Sequence, residues 1–143
     1  MLVSNNPFDA KGFKVYHKLI DIDKAYISNN WNIDYVLEKL KSSLFDFDYY
    51  AHRITNYSDK TTGGFSLHRD CYNFLNSNEN IEPNFTILIY LDKGKINVVP
   101  NSHKLKYISH SDTLKILNST FVETINIEPG SVLIFYNTLI HSG

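Results

Sequence analysis

The chain is poor in cysteine and arginine, and it has no long apolar run. Cys71 is the only cysteine among 143 residues. An internal disulfide is therefore excluded, and a reducing, cytoplasmic setting is expected. Arg53 and Arg69 are the only arginines, and the remaining basic residues are lysines without a basic stripe. The formal net charge is −1. Nucleic acid and anionic membrane surfaces are thus not expected partners. No stretch approaches the length of a membrane-spanning helix, and residues 1–13 are too polar for a signal peptide. No repeat, low-complexity linker or composition break divides the chain, so residues 1–143 are expected to form one domain.

What is present is a series of short strand-like runs and one strong helix. Residues 13–20 suggest a strand, and Asp21 and Asp23 suggest caps for a short helix reaching Ile27. Ile33, Val36, Leu37, Leu40 and Leu44 then fall on one helical face, with Asn32 as the N-cap and Asp34 near the positive helix end. Lys39 and Lys41 belong to its solvated side, and the helix is expected on the outside of a sheet. Residues 47–57 and 65–71 read as strands, 72–83 as an Asn-rich loop, and 85–92 as the most buried strand. Lys93-Gly94-Lys95 suggests a hairpin turn, with 96–99 returning. Pro100-Asn101-Ser102-His103 is a further turn, followed by a helical patch to about Leu117. Residues 121–127 alternate, Glu128-Pro129-Gly130-Ser131 turns, and 132–136 form another strand. The pattern predicts an all-β core, a barrel or double-sheet jelly roll, flanked by an N-terminal helix.

One stretch carries chemistry. Gly63-Gly64 leads into Phe65-Ser66-Leu67-His68-Arg69-Asp70. Residues i and i+2 of a strand share a face, so His68 and Asp70 stand side by side. A second histidine from a distant strand would complete two imidazoles and one carboxylate, an arrangement typical of non-haem Fe(II) oxygenases. With six histidines and 15 acidic residues, a His-x-acid pair arises by chance about as often as not. His110-Ser111-Asp112 is such a decoy. There Ser111 and Asp112 read as a helix N-cap, where His110 and Asp112 would not share a face. His17 and His52 carry no functional argument.

Five segments in order extend the pattern: His68-Arg69-Asp70, then 86–92, then Val98-Val99-Pro100-Asn101-Ser102-His103-Lys104, then 129–135, then Leu139-Ile140-His141-Ser142-Gly143. Together they resemble the Fe(II)- and 2-oxoglutarate-dependent oxygenases, most of all the phytanoyl-CoA dioxygenase-like branch. In that branch a Pro-Gly-Ser-His turn follows the central hairpin, and Asn101 stands here in place of the Gly. The lead Gly12-Phe13-Lys14-Val15 is similar too. The resemblance implies a double-stranded β-helix, with His68, Asp70 and His141 as iron ligands and 2-oxoglutarate as cosubstrate. It also implies that Thr86 and Tyr90, on one strand face, and Tyr57, on the strand before the motif, contact that cosubstrate. His103 matches the turn motif and is expected to be structural. The implied activity is hydroxylation of a small-molecule or peptide substrate, and Asp70 as a ligand argues against halogenation.

The family also uses an arginine, beyond the distal histidine, to fork onto the far carboxylate of 2-oxoglutarate. Arg69 alternates away from the metal face, Arg53 lies too early, and Lys93 and Lys95 sit in a turn. The sequence stops two residues after His141. A C-terminally truncated domain lacking its last strand is therefore expected. Two other readings stay open: a catalytically impaired jelly-roll module that binds metal or a partner without cosubstrate, and a cupin-like metalloenzyme.

Overall fold

The computed structural model describes residues 11–48, 67–70, 85–104 and 122–143. The expected strand at 49–57 with Tyr57, the loop at 72–83, and the helical patch with His110 and Asp112 lie outside them. Phe47 and Asp48, which were expected to begin that strand, are not in one.

The described residues form a β-rich fold. In chain order they are β1 (Phe13–Tyr16), α1 (Ile22–Ala25), β2 (Tyr26–Ile27), β3 (Asn30–Trp31), α2 (Ile33–Ser43), β4 (Phe85–Ile89), β5 (Gly94–Val98), a 3-10 turn (Ser102–Lys104), β6 (Glu123–Ile127), β7 (Val132–Tyr136) and β8 (His141–Ser142). One antiparallel sheet runs β1-β7-β4, a second runs β6-β5-β8, and β2 and β3 pair as a small ribbon. Among the described residues no helix is long and apolar enough to cross a membrane.

The caps are where the side chains predict them. The Asp21 carboxylate accepts from the Asp23 amide at the start of α1, and the Asn32 side chain accepts from the Tyr35 amide at the start of α2. Val36 and Leu40 on α2 are buried with Ile20, Ala25 and Val132, and Ile87 and Ile89 pack against that cluster. So α2 covers the outer face of the β1-β7-β4 sheet. The inner face of that sheet supplies Phe13, Leu133 and Phe135 to a second cluster. Ile96, Val98 and Ile127 of the facing sheet meet them there. Strand β7 is buried along its whole length because it is covered on both faces.

Several expectations are corrected. The most buried strand is β7 and not 85–92, where β4 is half-buried throughout, and the short helix ends at Ala25, with Tyr26 and Ile27 in β2. Residues 85–99 do not form a hairpin: β4 pairs with β7, and β5 pairs with β6 and β8. Residues 90–93 carry the chain from one sheet to the other, and Gly94 and Lys95, expected in the turn, already belong to β5, with the Tyr90 ring lying where a side chain on Gly94 would stand. A tight turn between two apolar runs reads the same whether they pair or face each other across a core.

Candidate metal centre

The segment 67–70 closes the gap between the two sheets at one edge. His68 pairs antiparallel with His141: the His68 amide donates to the His141 carbonyl at 3.0 Å, and the His141 amide returns at 2.9 Å. Two residues on, the Asp70 amide donates to the Asn137 carbonyl, just past the end of β7, at 2.9 Å. Alternation then sorts the side chains. Leu67 turns into a buried cluster with Val99 and Ile140, and the buried Arg69 donates from Nη2 to the Ser102 carbonyl at 2.9 Å. His68 and Asp70 face the other way, toward His141.

The three predicted ligands therefore meet. Asp70 Oδ1 lies 3.4 Å from His68 Nε2 and 3.4 Å from His141 Nε2, and the three candidate donor atoms fall within 4.8 Å of one another. A metal bound at about 2.1 Å to each donor sets neighbouring donors ~3.0 Å apart at right angles. The two Asp70 separations are within a few tenths of an ångström of that value. The group could hold a metal ion.

The protonation pattern also fits a cation. His141 Nδ1 lies 3.0 Å from the Leu139 carbonyl, which can only accept, so in the neutral ring the proton sits on Nδ1. Nε2 is then the nitrogen left facing the Asp70 carboxylate at 3.4 Å: protonated it donates to that carboxylate, and neutral it offers a lone pair to a cation shared with Asp70. A carbonyl on the far nitrogen is the usual way a ligating imidazole is oriented. Burial pushes the Asp70 carboxyl up. Hydrogen bonding and charge from His141 and His68 outweigh it and hold the group well below the usual carboxylate range.

Access is one-sided. The His141 side chain is 8% exposed and rests on Phe135, with ring centroids 4.5 Å apart, whereas His68 and Asp70 are 44% and 33% exposed. A ligand reaches the centre from the His68 and Asp70 side, over an aromatic floor.

Of the residues expected at the cosubstrate, Thr86 stands at the centre. Its hydroxyl lies 3.2 Å from Asp70 Oδ2 and 2.6 Å from the Asn137 side-chain amide. Tyr90 lies just past the end of β4 and packs with the inner cluster, with its ring over Gly94. Tyr57 lies outside the described residues. Asn137 was missed by sequence reasoning, because nothing in its local spacing signals a contact with residue 86 or 70. His103 stacks on Tyr136, with centroids 5.2 Å apart and planes 7° from parallel.

Compared with known proteins, the chain matches no family model and no curated protein sequence.

Proposed function

We propose that this chain is an Fe(II)- and 2-oxoglutarate-dependent dioxygenase domain of double-stranded β-helix type, hydroxylating a small-molecule or peptide substrate. The observation that carries the reading is the convergence of His68, Asp70 and His141 across a seam between two sheets. Two imidazoles and a carboxylate with open positions are the ligand set of non-haem iron oxygenases. When bound, iron and 2-oxoglutarate would supply oxidative decarboxylation coupled to hydroxylation of a C–H bond. The chain's own residues set the conditions. The Leu139 carbonyl fixes the tautomer of His141, and Asp70 brings the negative charge. Phe135 keeps one side dry, while the exposed flank at His68 admits cosubstrate and substrate.

A second reading, a metal-binding module without cosubstrate, has one observation in its favour. Arg69, the sole arginine among the described residues, is buried and donates to the Ser102 carbonyl, away from the centre. Anaerobic titration separates the two. Fe(II) followed by 2-oxoglutarate should give a visible charge-transfer band that needs both, and His68→Ala should abolish it. Metal binding with no such band overturns the oxygenase assignment in favour of the module. Failure to bind any divalent metal removes both.

A further inference from the structure

We infer that Thr86 and Asn137 are positioning residues that hold Asp70 to metal binding through a single oxygen. The inference rests on the metal reading of His68, Asp70 and His141 and assigns Thr86 a role other than cosubstrate contact.

The two oxygens of Asp70 have different neighbours. Oδ1 faces both imidazoles, 3.4 Å from each Nε2. Oδ2 faces the Thr86 hydroxyl at 3.2 Å, and that hydroxyl lies 2.6 Å from Asn137 Oδ1. One hydroxyl carries one proton, so it cannot donate both to Asp70 and to the Asn137 oxygen. Donation to Asn137 Oδ1 leaves Asp70 Oδ2 without the proton. With the Asn137 amide turned over, its nitrogen donates to Thr86 Oγ1, Thr86 donates onward to Asp70 Oδ2, and both contacts are made. A side-chain amide accommodates this because its oxygen and nitrogen can exchange places. Asn137 also accepts the Asp70 amide through its own backbone carbonyl, so it grips residue 70 at the main chain and, through Thr86, at the carboxylate.

This clasp has a consequence for coordination. A carboxylate with both oxygens available can bind a metal with either or both. With Oδ2 engaged by a hydroxyl from the opposite sheet, Oδ1 alone is presented, and a coordination position that chelation would take stays open. The clasp spans the fold: Thr86 is on β4, Asn137 follows β7, His68 lies on the segment paired to β8, and His141 is in β8 itself.

The test uses the full chain and Co(II) alone, with no 2-oxoglutarate present, so that a role in cosubstrate binding cannot contribute. Thr86→Val keeps the strand-compatible shape and removes the hydroxyl. Thr86→Ser restores the hydroxyl. Asn137→Ala removes the amide and leaves the backbone carbonyl. Loss of such an outer partner costs about 10- to 100-fold in metal affinity. Thr86→Val and Asn137→Ala should each weaken Co(II) by that factor and alter its visible absorption as Oδ2 becomes available, while Thr86→Ser should stay at the wild-type affinity and spectrum. Wild-type affinity and an unchanged spectrum in both Thr86→Val and Asn137→Ala would overturn the clasp while leaving the metal site intact. If the wild-type chain itself takes up no Co(II), the metal reading has failed and the clasp falls with it.

Discussion

His141 Nδ1 donates a hydrogen bond to the Leu139 carbonyl, which leaves Nε2 as the nitrogen that faces Asp70. Asp70 is held well below the ordinary carboxylate range by its two imidazole neighbours. A carboxyl with a depressed folded value stabilises the fold above its unfolded value, near 3.9, and that contribution is lost as the pH falls through the folded value. That contribution should be fully present above about pH 5, so the stability lost in the metal-free Asp70→Asn variant should not grow with pH between about 5 and 8. Urea denaturation of the variant beside wild type measures it, and a difference that grows with pH across that range would show that Asp70 binds a proton there. At this scale the sequence was informative where contacts are local. His68 and Asp70 could be paired because an extended chain places i and i+2 together. Asn101 could be recognised as a substitute for glycine, and its backbone has φ 70°, a region where Asn is tolerated better than most side chains. Asn137 could not be found, since its partners lie 51 residues away at Thr86 and farther still at Asp70.

The elements show the same division. Helix α2 was readable from its apolar spacing and its Asn32 cap, because both are written within a few residues. Strand pairing was not, because a strand's own pattern says which face is buried and nothing about its neighbour. The turn before β7 shows how local chemistry nonetheless serves the long-range assembly. Gly130 has φ 83°, and a Cβ there would stand 2.5 Å from the Ile20 carbonyl oxygen. Its amide donates to the Tyr90 carbonyl, and its carbonyl accepts from the Ile20 amide. The turn thus ties the end of β4 to the stretch between β1 and α1. Gly130→Ala should destabilise the domain by at least ~1–2 kcal/mol, from the left-handed backbone alone, with the contact at Ile20 adding to it. Urea denaturation of the variant beside wild type reads this directly. An unchanged midpoint and slope would mean that the turn relaxes without cost.

Over the whole molecule, the candidate centre joins parts of the chain that lie far apart in sequence. His68 and Asp70 lie on a short segment far in sequence from His141, and Thr86 reaches in from the opposite sheet. Among the described residues the backbone of the segment is joined to β8 through the His68–His141 bridge and to the end of β7 through the hydrogen bond from the Asp70 amide to the Asn137 carbonyl. A metal shared by these side chains therefore acts as a cross-link between the two sheets, and the free energy of binding becomes free energy of folding. At a free metal concentration 100 times the dissociation constant, the folded state gains about 2.7 kcal/mol. For a domain of this size that corresponds to a rise of roughly 10 °C in the unfolding midpoint. Thermal scans of the metal-free chain, with and without Fe(II) under anaerobic conditions, should show that rise, and a chelator should reverse it. Asp70→Asn keeps the shape of the side chain but removes the charge that attracts the metal, so its own midpoint should not move when metal is added. A wild-type midpoint indifferent to Fe(II), Co(II) and Zn(II) alike would mean that these side chains meet without sharing an ion, and the two sheets would then owe their closure to Phe13, Ile96, Leu133 and Phe135 between them.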